Sequence, residues 1–564
     1  MKNTTEYRTK KEMNGSQRGM ALLTAVLFIA VATLLLGGLS LRVINQSRQV
    51  DSYATVRECF FGTEAALARS RASLEMGGTG MIGIGAWAPP SVQEIVLPAF
   101  ADAGVAPIQM ASMPAVRYMG YVVNWGNDGR DNNGDGVVDG PEEQWFYTIY
   151  ALSQSGPVER QVEVVVNGQD VNVWRNAIFG GTGQAGGLIN GNVSIHGSVH
   201  LLGDDLPAGA VAVTALDLSG TSLIHNNYSG IPAALAQRVP PLPTRTFNGE
   251  IVQTLNANLR VRKGLVGLSG NSEIGEPNVA GNAVKETMDG TFVNDGWTGN
   301  AVVDDGGRGD PKSVWSDNGW DMLYDLGDKV PLPVFSDDWR DMYTGATVLN
   351  PATGQNYTHS EYFETICGTP YNGNVTIKAN TNFYYNATRP GDTNPANRQP
   401  TDDYILYNGT TKRMEVNGQI QINGNLVITR GGGNDKTINY TGRAAILVNG
   451  DVTLDTDLLS VNADGTTANS FPQNILGIMA QNNMTVGSLS QLQLMGAFYA
   501  QNRIKSEKQT TTIGTFVSNY FDMGTNVPDI FQVPTLADNL PYGMIGAYPI
   551  LAISQVSWRE LGGV

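Results

Sequence analysis

A chain of 564 residues exceeds what one ordinary hydrophobic core serves, so two or more domains are expected. Glycine is abundant at 67 residues and only 16% of residues are charged, a mix that suits many short strands joined by tight turns and weighs against a helical enzyme. The formal charge is -16, and residues 1–75 hold ten Lys and Arg against six Asp and Glu, so the remaining body carries -20 and repels phosphate backbones.

The amino terminus comes first in the chain and speaks most clearly. Residues 1–19 are polar, with Lys2, Arg8, Lys10, Lys11 and Arg18 against Glu6 and Glu12. From 20 to 41 there is no charged residue, a run long enough to cross a bilayer as a helix. It leads into a charged, helix-prone stretch that ends before Gly77-Gly78, so one helix over 20–76 is predicted. Val43, Ile44, Val50, Ala54, Cys59, Phe60, Ala66, Leu67 and Leu74 form a candidate apolar stripe along it. A helix of 57 residues would be about 85 Å long, far beyond the need of a small core.

Gln17-Arg18-Gly19 before Met20-Ala21-Leu22-Leu23 resembles the prepilin peptidase site of type IV pilins. The resemblance implies a leader over 1–19, cleavage after Gly19 and methylation of the new amino group on Met20. In that family the fifth mature residue is usually Glu; here it is Thr24, a departure shared by PilX-type minor pilins and the K-type pseudopilin of type II secretion. The usual carboxylate offsets a neighbouring subunit's terminal ammonium in an apolar bundle, where an unpaired charge is costly. A subunit at the tip has no subunit above it to neutralise, so Thr24 points to a tip or priming position. The competing reading of 20–41 is an uncleaved signal anchor.

Residues 77–175 read as an α+β pilin-like head. After a Gly-, Pro- and Ala-rich connection, strands are predicted over 116–125, 144–154 and 159–168. Val162, Val164 and Val166 alternate with Gln161 and Glu163, and Ser155-Gly156-Pro157 is a tight turn, so an antiparallel meander is expected. Between the first two strands lies DNNGDGVVDGPE, 131–142. Asp131, Asn133, Asp135, the Val137 carbonyl, Asp139 and Glu142 fall at the ligand positions of an EF-hand-type loop, with Gly136 at the sharp turn. Oxygen donors at this spacing predict one structural Ca2+; the alternative is an acidic turn without an ion.

Beyond about 176 the texture changes to short units of apolar, Gly and Asn residues. INGNVSIHGSVHLLG (189–203), VNGQIQINGNLVI (416–428) and ILVNGDVTL (446–454) share the design, and Ala-Gln-Asn recurs at Ala480 and Ala500. Spacing of this kind predicts a mainly-β domain over 176–564, a β-solenoid or β-helix, with a β-sandwich as the alternative. The closing Ser557-Trp558-Arg559-Glu560-Leu561 resembles the carboxyl-terminal region of PilX-type proteins, and a large solenoid on a pilin is similar in architecture to ComZ-type competence tip pilins.

A long insertion is expected at about 270–410, rich in Asp, Asn and aromatics. Trp297, Trp315, Trp320 and Trp339 lie there among carboxylates, the residue types of a sugar-binding loop, although such tryptophans more often form the satellite core of an insertion. Asp337 and Asp338 are adjacent acids, which does not set a glycosidase separation. His196 and His200 are expected to point outward. Arg308-Gly309-Asp310 is a tripeptide of high chance frequency, and Arg260, Arg262, Lys263, Arg503, Lys505 and Lys508 read as scattered surface cations. Two cysteines, Cys59 and Cys367, make no disulfide framework. There is no P-loop, HExxH or GxSxG pattern, so no enzyme is expected.

The resemblance implies a minor pilin made in the inner membrane, processed by prepilin peptidase, and displayed with other major and minor pilins on a surface filament. The expected ligand of the displayed domain is a surface glycan or protein. The alternative function is a DNA-binding tip receptor for natural transformation, disfavoured by charge; a polysaccharide-active enzyme stands third.

Overall fold

The computed structural model describes residues 15–75, 80–82, 107–132, 138, 143–184, 189–191, 194–206, 213–299, 313–432, 436–489, 491–523 and 528–561. The leader up to residue 14, most of the 77–114 connection, most of the predicted calcium loop and Arg308-Gly309-Asp310 lie outside them. The chain divides into two compact units, 1–168 with 553–564, and 169–552.

In the first unit a single helix, α1 (Gly15–Glu75), runs 61 residues, about 92 Å at 1.5 Å per residue. Its partner sheet contains β1 (Gly80–Ile82), β2 (Ile108–Met110), β3 (Met113–Asn124), β4 (Phe146–Ser155) and β5 (Val158–Asp170). The strand order is β1, β3, β4, β5 and then the last strand of the chain, Leu551–Leu561, with β2 also paired to β3. The predicted meander is present. Ser155 pairs with Val158, and Gly156, at φ +56°, takes the first central position of the two-residue turn. Val162, Val164 and Val166 are buried while Gln161 and Glu163 are partly exposed, as the alternation requires.

The helix meets this sheet through small residues. Cys59, Gly62, Thr63, Ala66 and Ser70 are buried along one face, with Leu67 and Leu74 beside them. A Cβ on Gly62 would stand 2.6 Å from Val116 Cγ1, and one on Gly120 would overlap Ser70 Oγ, so at both points a side chain of the opposite element packs directly onto the glycine. The stripe expected over the whole helix is therefore buried only in its last third. Val43, Ile44, Val50 and Phe60 are exposed.

The last strand departs from the sequence reading, which assigned every residue after 176 to the second unit. Backbone pairing to β5 is reinforced by Arg160 Nε to Glu560 at 2.9 Å and Arg559 Nε to Glu163 at 2.7 Å. The second unit is thus inserted between two neighbouring strands of the first unit's sheet. Its own ends are joined: Val171 N donates to the Ile550 carbonyl (2.8 Å), and Ile550 N donates to Asp170 Oδ1 (3.0 Å).

The second unit is built from parallel strands stacked in register. One column reads Ile420, Ile446, Ile478, Phe498, Phe516, Ile178, Val199, Leu259, Thr291, each paired with the next. A second reads Val375, Leu426, Val452, Met484, Ile504, Phe521. A third reads Ile438, Leu458, Leu494, Thr512, Ile530, Ile195, Ile224, Ile274. All of these side chains are buried. Each strand lays its apolar residues against those of the next, so the buried columns run from strand to strand.

The order of these columns shows that the chain enters in the middle of the stack. Residues 178–299 build away from the seam at Phe516–Ile178 toward one end. The coils from 371 onward begin at the other end and return to the seam. Residues 313–370 run back along the stack between the two. Val314 bridges Ile274, Tyr324 Oη meets His200 Nε2 at 2.7 Å, Tyr499 Oη donates to the Pro333 carbonyl at 2.6 Å, and Cys367 Sγ meets Gln421 at 3.3 Å. The expected insertion at 270–410 is accordingly made of three parts: coils at one end, a crossing segment, and coils at the other end capped by the antiparallel hairpin Phe383–Asn386 and Tyr404–Asn408.

Candidate functional site

The amino-terminal part of α1 combines two properties that rarely coexist. It is strongly apolar, and none of the most apolar 18-residue stretch is buried within the chain. Met20, Leu22, Leu23, Leu27, Phe28, Leu34 and Leu41 are each more than half exposed. At roughly 25 cal/mol per Å2 of apolar surface, such a face is stable only in a lipid or against other apolar helices. Gly19 and Met20 are both exposed on the helix. Thr24 Oγ1 donates to the Met20 carbonyl at 2.8 Å, so its hydroxyl is satisfied within the helix and carries no charge into the apolar surroundings.

At the predicted calcium loop, the structure describes Asp131; Asn133, Asp135, Val137, Asp139 and Glu142 lie outside the described residues. The flanks are organised by carboxylates. Asp128 accepts from Arg130 N at 3.0 Å and from Asn132 Nδ2 at 2.9 Å. Glu143, buried, accepts from Asn132 N at 2.5 Å. These bonds pin the two ends of the loop between β3 and β4, and the donor set of the loop is all oxygen, the chemistry a hard cation takes.

The four tryptophans do not share one surface. Trp339 is buried, stacked on Tyr362 at 4.3 Å between ring centres. Trp297 is buried, with its Nε1 donating to the Trp320 carbonyl at 3.2 Å and its ring edge-on to the half-buried Trp320. Trp315 is exposed, its backbone bonded to Ile274. The structure brings Trp297 and Trp320 together and leaves Trp339 elsewhere on the crossing segment.

The histidines correct the sequence reading. His196 is buried, its ring parallel to His225 at 4.5 Å and to Phe531 at 4.1 Å, because its register pairs it with both and Asn227 and Tyr228 cover this face. Burial and the neighbouring His225 push its pKa down to about 3. His200 is buried against Phe179 and hydrogen-bonded to Tyr324, and burial holds its pKa well below the usual histidine range. The cations are mostly neutralised. Arg260 makes a two-pronged pair with Asp325 at 2.9 and 3.0 Å, Arg262 pairs with Asp328 and Asp204, and Lys505 pairs with Glu507. Arg503 stands 3.4 Å from Asp522. Both cysteines are free and buried.

Sequence reasoning missed a cavity of about 360 Å3 between 331–340 and 544–548. Its polar groups are Asp337, Asp338, Arg340, His359 and Tyr548. They come from segments about 200 residues apart in sequence, which no local pattern joins. The run Pro331-Leu332-Pro333-Val334 was the available signal, an extended apolar stretch two residues ahead of a pair of acids.

No family model and no curated protein matches the chain. Among solved structures, it is similar to the crystal structure of the competence-associated pilin ComZ from Thermus thermophilus, with a TM-score of 0.49 and 18% identity over 90% of this chain and 97% of that one.

Proposed function

We propose that the chain is a minor type IV pilin of the PilX type that joins a filament at or near its tip and displays the second unit for adhesion. One observation carries this reading: a single helix packs against an antiparallel sheet at one end and exposes an uncharged apolar half, 20–41, at the other. A bilayer covers that half before assembly, and the apolar helices of other pilins cover it afterward. Prepilin peptidase would cut after Gly19 and the new amino group on Met20 would be methylated. Thr24, where shaft subunits usually have Glu, favours the tip or a priming role.

Within this reading the second unit is a β-solenoid, supported by three in-register parallel columns, and its insertion between two head strands makes it cargo on a pilin mount. A calcium ion held by Asp131, Asn133, Asp135, the Val137 carbonyl, Asp139 and Glu142 would brace the head. The DNA-receptor alternative is weighed down by the -20 body and by the carboxylates on Arg260 and Arg262. Antibody labelling of sheared filaments tests the assignment. Label at filament ends supports the tip role, label along the shaft rejects the tip position, and label absent from filaments rejects the pilin reading.

A further inference from the structure

The cavity between 331–340 and 544–548 has the make-up of a binding site. All of it belongs to the second unit. Its volume, about 360 Å3, falls within the range of small-ligand pockets and exceeds one pyranose ring. On one side stand the exposed carboxylates of Asp337 and Asp338. Asp337 Oδ2 accepts from Val334 N at 2.8 Å, and Asp338 Oδ2 accepts from Asn356 Nδ2 at 2.8 Å. These bonds fix both carboxylates in place and leave each with further acceptor capacity.

The inner wall includes His359, 5% exposed. Its Nε2 lies 3.0 Å from the Gly543 carbonyl, which assigns the ring proton to Nε2 and leaves Nδ1 as an acceptor. Nδ1 is buried and has no partner among the described residues. Burial pushes the ring's pKa down to about 3, so it is neutral at ordinary pH. Nδ1 is closed off by the rings of Phe335, Trp339 and Phe363, so His359 forms the floor of the cavity and its orphaned acceptor faces the packed interior. Arg340, its guanidinium 5.5 Å from the centre of the Tyr548 ring, is the one cationic donor.

Two carboxylate acceptors, one guanidinium donor and the tyrosine Tyr548 call for a ligand rich in O–H groups. The two carboxylates leave a net charge of -1 beside the guanidinium, too little to hold a bare divalent cation, and no group of three or more His, Cys, Asp or Glu among the described residues is placed for a metal. The remaining wall is apolar, with Pro331, Leu332, Pro333 and Met544. Hydroxyls around a ring that also offers C–H faces describe a sugar.

We infer that this cavity is a carbohydrate-binding site, taking one or two sugar residues with their hydroxyls on Asp337, Asp338 and Arg340 and a C–H face on the proline-rich wall. The inference deepens the display reading by giving the cargo a ligand class. The test is saturation-transfer NMR on the full chain in a detergent without a sugar headgroup. The probes are glucose, galactose, mannose, N-acetylglucosamine, N-acetylgalactosamine, lactose, cellobiose and chitobiose. At least one is expected to bind, and the double variant Asp337→Asn, Asp338→Asn, checked for an unchanged melting curve, is expected to bind it about tenfold more weakly or worse. If that variant does not fold, Arg340→Ala, at an exposed position, is held to the same outcome. No transfer to any probe, or transfer unchanged in the folded variant, overturns the site. Either result leaves the filament labelling untouched, so the two readings fail separately.

Discussion

Gly120 and Ser70 meet where α1 crosses β3, and nothing larger fits between them. Around them, Ser153 Oγ lies 2.6 Å from the Cys59 carbonyl and 2.7 Å from Thr63 Oγ1, so the hydroxyls of Ser153 and Thr63 are satisfied by one another and by the helix backbone. Gly120→Val forces the helix off the sheet and is expected to destabilise the head by about 1–3 kcal/mol, read as an earlier transition in a denaturant melt. His196 makes a different kind of prediction. Its folded pKa of about 3 lies below the unfolded value near 6.5, so the unfolded chain takes up the proton first as pH falls. Its contribution is fully present above pH 6.5 and is lost toward pH 3, at about 1.4 kcal/mol per pH unit. Melts of wild type and His196→Gln from pH 7 to 5 check this: the variant should show the shallower loss of stability in acid. The alternation of Val162, Val164 and Val166 showed on the sequence which way they face. His196 has the same alternation, yet polar neighbours suggested an outward face. Only the register with Phe531 and His225 reveals that its ring is stacked and covered.

Among the elements, α1 was the most legible, since a charge-free run of 22 residues followed by a charged amphipathic stretch has few other structures open to it. The head strands were legible through alternation and a Gly-Pro turn. The last strand was not. Its 11 residues are mostly exposed, so no apolar pattern tied it to a particular sheet; its place is set by pairing to β5 and by Arg160 and Arg559, contacts some 400 residues apart. Truncation after Ala552 removes this edge. The head's melting transition should fall, by about 4–8 °C for each kcal/mol lost, while the second unit keeps its own transition because Val171 and Ile550 close it. A shift of the second transition alone would contradict that division. Inside the stack, Ile478 sits fully buried between Ile446 and Phe498, so Ile478→Ala should cost the second unit about 2–5 kcal/mol in a chemical melt.

At the scale of the whole molecule, repeats of short strands with Gly and Asn corners foretold a large, mostly-β unit, but not the order of its strands. A chain that enters at the seam must return along the stack, and that return, 313–370, holds Trp315, Trp320 and Trp339, three of the four tryptophans that invited a separate reading as a loop. The calcium proposal belongs here because it couples the environment to stability. If the loop at 131–142 holds Ca2+, chelation should lower the head's melting temperature, millimolar Ca2+ should restore it, and Asp135→Asn should abolish the response; a chelator-insensitive head sinks the proposal. The central claim is that the exposed apolar helix is a processed pilin stem. The most direct measurement is mass spectrometry of the amino-terminal peptide from protein recovered in sheared surface filaments. The account predicts a peptide beginning at N-methylated Met20. Protein found only in membranes, with residues 1–19 still attached, would contradict it.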